Sequence, residues 1–202
     1  MCGEKKTSTL AEVAQIISGI TDTRAEGESE SESESRYVYS MLQPNHLLDD
    51  NSILQGTSIY RNKEIDEGLL LIENDVLIKR LNPATATLVK YPLVKTVVSN
   101  NLFIIRPFSD VDSAYLACVI EEGIISINAQ ITGSSAAIKT ISRKIVSEVQ
   151  IPIIPLNEQK KVGQVWLLTK EKKRLLQDLI VENGKIATSV LKNMIKRKEN
   201  KK

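Results

Sequence analysis

The 202-residue chain contains a single histidine, His46. Proton transfer to or from a serine or cysteine nucleophile needs a positioned base, most often histidine. His46 sits in Gln43-Pro44-Asn45-His46, a turn-like tetrapeptide, and reads as structural. The two cysteines, Cys2 and Cys118, show no CxxC spacing, and no His/Cys/carboxylate cluster has zinc-site spacing. Metal-dependent nuclease chemistry needs clustered carboxylates beside a lysine. Asp66, Glu67, Glu73 and Asp75 with Lys79 are the nearest such set, but they fall at strand ends and turns, where acids are common. No glycine-rich phosphate loop or dinucleotide fingerprint is present. Asn82-Pro83-Ala84-Thr85 lacks the second proline and the aromatic residue of an amino-methylating Asn-Pro-Pro-aromatic site, and no methyl-donor glycine motif precedes it. The residues point to binding without catalysis, with no metal and no cofactor.

Charge narrows what is bound. Residues 1–78 carry 6 Lys/Arg against 15 Asp/Glu, whereas residues 79–202 carry 21 against 10. A basic segment of that strength suits a polyanion, because each neutralised phosphate releases counterions, although a solubilising lysine face gives the same excess. Aromatics make up only 4% of the chain, which argues against a base-stacking platform for single strands. Hydrophobic residues at 42% suffice for a core. No apolar run approaches the roughly 18 residues of a membrane span. The opening Met1-Cys2-Gly3-Glu4-Lys5-Lys6 does not read as a signal peptide, so a reduced, cytoplasmic setting is expected.

The elements that must position a binding surface come in two textures. Thr9 to Ile17 has helical apolar spacing, stopped by Ser18-Gly19. Residues 26–35 read EGESESESES, with no apolar residue to bury, and predict a mobile polar loop. Strand candidates follow at Tyr37–Tyr39, Leu69–Ile72, Val76–Ile78, Leu88-Val89, Thr96–Val98 and Leu102–Ile105, broken by Asn, Asp, Gly and Pro. Val111 to Ile120 predicts a buried helix ending near Gly123, and Ile124–Ile127 a short strand. Ile138–Ile141 and Val149–Ile153 are expected to pass along the sheet again. The class is α+β: a globular domain on a twisted, irregular β-sheet, spanning 1–156.

Pro152 and Pro155 close that domain, since neither extends a helix or a central strand. From Asn157, a plausible N-cap, to about Lys196 there is no proline. Val162, Val165, Thr169, Lys172, Leu176, Leu179, Asn183, Ile186 and Val190 recur at about 3.5 residues. The spacing predicts one long coiled-coil-forming α-helix over 157–202, with a basic tail, extending about 57 Å. So long a helix cannot hide a narrow stripe against its own domain and should pair with another. Asn183 on the seam either fixes register or, with Gly184, bends the helix.

Ile151-Pro152-Ile153-Ile154-Pro155-Leu156-Asn157-Glu158-Gln159-Lys160-Lys161-Val162 is similar to the "IPLPPLxEQKxI" junction of specificity subunits of Type I restriction–modification systems. Weaker pieces occur in the family's order. Leu10–Gly19 resembles its opening helix, Glu73–Lys79 its "kGDvLI" strand, and Ser99–Pro107 its "s.nl.viRp" segment. Tyr115-Leu116-Ala117 matches the following helix, and Gly133-Ser134-Ser135 with Ile138 and Ile141 the "GttqxxI" loop. Asn74 stands where the family has glycine, and the Ser/Glu repeat has no counterpart. The usual subunit has two recognition domains and two long helices, packed antiparallel; this chain has one of each.

The resemblance implies a non-catalytic, half-length reader of double-stranded DNA. Two copies, paired through Val162, Val165, Leu176, Leu179, Asn183, Ile186 and Val190, would present a recognition domain at each end and read an interrupted, palindromic site. Modification methyltransferase and restriction subunits would dock on the helical part. Candidate DNA-binding residues, in polar or basic loops, are Lys79, Arg80, Lys90, Lys95, Gln130, Ser134, Ser135, Lys139 and Arg143. Arginine and glutamine suit bidentate base contacts, while lysines suit phosphates. The competing expectation is a stand-alone coiled-coil protein that competes with full-length specificity subunits.

Overall fold

The structure, a computed structural model, describes residues 7–21, 37–81, 85–131 and 141–199. The chain opens with β1 (Thr7–Thr9), a single turn α1 (Leu10–Val13) and β2 (Ala14–Ser18). Then come β3 (Tyr37–Leu42), β4 (Thr57–Arg61), β5 (Val76–Lys79), β6 (Ala86–Leu88), β7 (Thr96–Val98) and β8 (Leu102–Pro107). Helix α2 (Ser113–Ile131), the short α3 (Arg143–Ser147), β9 (Gln150–Pro152) and the long α4 (Leu156–Glu199) complete it. The α+β class with irregular sheet is as expected, but the described strands form three small sheets rather than one. Their orders are β2-β8-β5-β6, β4-β3-β7 and β1-β9.

The four-stranded sheet is buried on both faces. In β5 and β8 alternate side chains divide between two cores, as a period of two requires. Val76, Ile78, Phe103 and Ile105 face the helices, and Leu77, Leu102 and Ile104 face the other core. That explains why both strands read as unbroken apolar runs. The three-stranded sheet, with β3 antiparallel to β4 and parallel to β7, carries a smaller core of Tyr39, Met41, Ile59 and Val97.

Several expectations change. The predicted helix over Thr9–Ile17 is only one turn, with the Thr9 amide donating to the Glu12 carboxylate at 2.7 Å. From Ala14 the chain is extended and pairs antiparallel with β8, Ala14 opposite Pro107 through Ser18 opposite Phe103. The β-branched Ile16 and Ile17 bury on opposite faces there, which a helix would not allow. Gly19 follows because a Cβ would collide with the Ser99 carbonyl. Leu69–Ile72 is not a strand: a 3-10 turn (Glu67–Leu69) leads into a bend. Ile124–Ile127 continues α2, which runs through Gly123. Strand β4, with Ile59 its one buried residue, was not anticipated. The Ser/Glu repeat, Asn82–Ala84 and most of Ile138–Ile141 lie outside the described residues.

Candidate nucleic-acid interface and the seat of the long helix

The antiparallel register of β5 and β6, Val76 opposite Leu88 and Ile78 opposite Ala86, sends the predicted contact residues to opposite ends of the sheet. Lys79 and Arg80 leave β5 at one end; Lys90 leaves β6 at the other. Lys79 is half-buried. Arg80 is tied into the structure: its Nη1 donates to the Asn100 carbonyl at 2.9 Å, and its guanidinium carbon lies 5.0 Å from the centroid of the Phe103 ring. Its amide donates to the Asn101 carbonyl and its carbonyl accepts from the Ile141 amide. Arg80 therefore braces the turn at 99–101, and Asn100 and Asn101 stand exposed beside it. Their amides can both donate and accept; the sequence places them in the segment similar to "s.nl.viRp" but does not single them out as contact residues.

Lys90 faces α4, where its charge helps hold the Glu171 carboxyl below its usual range, after the stronger effect of the Arg174 hydrogen bond. Lys95 is exposed in a left-handed conformation, φ 46°, and its carbonyl accepts from the Ser40 amide at 2.9 Å. Arg143 is exposed in the first turn of α3, whose N-cap is Ser142, accepting from the Ile145 amide. It borders a shallow groove with Gln15 and Phe108. Gln130 lies in α2. Ser134, Ser135 and Lys139 lie outside the described residues. The structure thus groups Lys79 and Arg80 and separates them from Lys90.

The carboxylates considered for metal chemistry do other work. Asp75 is fully buried and forms a bidentate ion pair with Arg106, 2.8 Å at both Nε and Nη2. Asp75 also accepts from the Ile72 amide at 3.0 Å, and Arg106 Nη2 donates to the Leu70 carbonyl at 2.9 Å. The carboxylate bond holds the Arg106 guanidinium in its charged form, above its ordinary range. These two residues come from separate motif segments, and their pairing fastens the 68–75 loop to β8. Asn74, at φ 73°, takes the left-handed conformation that glycine adopts without strain and asparagine tolerates. Asp66 caps its own turn by accepting from the Gly68 amide. His46 Nδ1 accepts from the Gln43 amide, a turn-closing role.

The long helix is seated by a row that the 3.5-residue spacing did not reveal: Gln159, Gly163, Trp166 and Lys170, all buried. Gln159 accepts from the Asp112 amide and donates to the Ile154 carbonyl, both at 2.9 Å. The Tyr115 hydroxyl donates to the Pro152 carbonyl at 2.6 Å, fixing the proline junction. Lys170 Nζ donates to both Glu121 oxygens at 2.9 Å and to the Asp49 carbonyl at 3.1 Å, and lies 5.2 Å from the Trp166 ring centroid. A β-carbon at Gly163 would stand 2.7 Å from the Tyr115 amide nitrogen and 2.8 Å from the Ala114 Cβ. Gly163→Ala is therefore expected to destabilise the fold by about 1–3 kcal/mol through overpacking, against a helix-propensity gain of about 1 kcal/mol. A urea midpoint at or above the parent's would show that α2 yields to the extra methyl.

Helix α4 begins at Leu156, so Asn157 lies inside its first turn rather than capping it; the Pro155 carbonyl accepts from the Glu158 and Gln159 amides. Every predicted seam residue, from Val162 to Val190, is exposed. Beyond Arg174 all the described side chains of α4 are exposed, leucines and isoleucines included. Local ion pairs lace the surface, Arg174 with Glu171 and Asp178, and Lys185 with Glu182. Burial and the neighbouring Glu122 and Glu121 push the Cys118 thiol up from its ordinary range. No described helix is long and apolar enough to cross a membrane.

No protein-family model matches the sequence, and no curated protein does. Solved structures match it by fold. The HsdS subunit from Thermoanaerobacter tengcongensis aligns at TM-score 0.57 and 18% identity, over 86% of this chain and 39% of that one. A chain from a study of complex assembly and conformational transition in the type I R-M system aligns at 0.60 and 15%, over 88% and 41%. The Type-I restriction-modification S subunit from M. genitalium aligns at 0.53 and 14%, over 87% and 42%. The chain thus spans about two fifths of the length of these structures.

In architecture, then, the protein is a mixed α+β domain carried on one long helix. More particularly, that fold is the fold of part of the HsdS specificity subunit of Type I restriction–modification systems, in agreement with the resemblance carried by residues 151–162.

Proposed function

We propose that this protein is a non-catalytic, sequence-specific DNA-recognition subunit of a Type I restriction–modification system. Residues 1–156 form the reader and residues 157–202 the spacer. In this reading two copies pair through α4 and bring modification methyltransferase and restriction subunits to an interrupted palindrome. The observation that carries it is the combination of the HsdS fold with a helix whose outer half holds its apolar residues in solvent. A helix of 44 residues is about 66 Å long, and that length serves as the distance between two half-sites. Lys79 suits a phosphate, and Asn100 and Asn101 beside it offer the donor and acceptor sets that base edges recognise, while Arg143 offers its donors separately, beside Phe108 at the other end of β8. Arg80 holds the Asn100 turn in place.

The test is selection from randomised duplex DNA by the protein with its methyltransferase subunit, followed by titration of the selected site against salt. The expected result is two inverted half-sites at fixed separation. Lys79→Ala should weaken binding evenly across sequences and reduce the log–log salt slope by about 1. Selection that returns no sequence preference overturns the proposal.

A further inference from the structure

The exposed seam of α4 carries enough information to choose its own partner and register. Six of its nine positions are apolar; Thr169, Lys172 and Asn183 are the polar ones. Thr169 is already satisfied, its hydroxyl donating to the Val165 carbonyl at 2.9 Å. Lys172 and Asn183 are exposed on the seam and decide the fit. A parallel second copy in register would set Lys172 against the partner's Lys172, like charge on like, which specificity disfavours.

Antiparallel overlap of the whole helix, Leu156 opposite the partner's Glu199, behaves differently. Seam layers then pair Leu176 with the partner's Leu179 and Val165 with the partner's Val190. Lys172 meets the partner's Asn183, an ammonium donor against an amide oxygen. A slip of one heptad in either direction puts Lys172 and Asn183 each against an apolar residue, leaving a desolvated polar group.

The same register uses a groove of about 450 Å³ beside the seat of the helix. Val162, Val165 and Thr169 form one wall and Cys118 and Glu122 of α2 the other. Trp166 is buried at its edge, with an indole N–H that has no acceptor among the described residues. In the full overlap, the segment of the partner that crosses this groove includes the partner's Ile186 and the partner's Val190, apolar residues suited to its walls.

We propose that a second copy of the chain seats antiparallel on α4 and on the α2–α4 groove, in the register that sets Lys172 against the partner's Asn183, and that this polar pair fixes the distance between the two domains. The proposal deepens the reading above and rests on its self-association. The test uses the full chain with C2S and C118A. Under mild oxidation, the double variant K172C/N183C forms a covalent dimer, while K172C and N183C alone do not. A cysteine-free check uses charge: N183D should tighten the dimer several-fold in sedimentation at low salt, and N183K should weaken it at least tenfold. Crosslinking of either single variant alone, or a weaker dimer with N183D, would mean parallel pairing and overturn the proposal. A dimer that does not crosslink through K172C/N183C overturns the register, and a monomeric parent overturns the self-pairing. DNA selection is scored separately on the unsubstituted chain, so recognition and register can fail independently.

Discussion

Arg106→Ala is expected to destabilise the protein by about 3–5 kcal/mol, the cost of removing one partner from a buried ion pair. Asp75 is fully buried, and its two strongest bonds go to Arg106; only the Ile72 amide would remain. The substitution also strips the Leu70 carbonyl of its donor, so the 68–75 loop loses its tie to β8. Much of the loss comes from stranding a charge rather than from the pair's net worth. Asp75→Asn combined with Arg106→Ala should therefore recover a substantial part, since an amide oxygen still accepts from Ile72. Urea denaturation of both variants measures this. If Arg106→Ala shifts stability by less than about 1 kcal/mol, the pair is a surface-grade contact, and the account of the loop is wrong.

The second large effect concerns assembly. Leu176 and Leu179 are 50% and 57% exposed, so a Leu176→Asp, Leu179→Asp double variant should leave folding of the domain within about 0.5 kcal/mol per site. In the proposed pair these residues meet at the centre of the seam. Four carboxylates brought together there would abolish pairing. Joining two readers raises affinity for a two-part site by about 10²–10⁴ over one reader. Affinity for the selected two-part site should fall by that factor, while affinity for an isolated half-site stays unchanged. Equal affinity of parent and variant for the full site would remove the basis for a two-copy reader.

Residues with regular spacing and local consequences were legible in the sequence. The proline junction announced where α4 begins, and the proline-free stretch with its 3.5-residue recurrence announced the helix itself, because both depend on neighbours along the chain. Where the outcome depended on distant partners, reading failed. Leu10 to Ile17 has apolar residues that fit a helix, and only the pairing with β8 makes Ala14–Ser18 a strand. Strand β4 shows one buried residue in five and leaves almost no pattern. The seat of α4 was invisible because Gln159, Gly163 and Lys170 read as polar or helix-weakening, although they are buried against α2. At the candidate interface, residue type alone could not tell that Arg80 is spent on the Asn100 carbonyl while the asparagines beside it stand free to solvent.

Trp166 gives the seat of the helix a further property. It is the one tryptophan in the chain, it is buried where α4 meets α2, and the Lys170 ammonium lies over its face. Its emission therefore samples a single joint, the one that decides whether the domain and the helix turn as a rigid unit. Loosening of that joint would admit water to the indole and remove the cation from its ring. The molecule carries an intrinsic optical gauge of its own stiffness, placed at the point where flexing would change the angle between α4 and the domain.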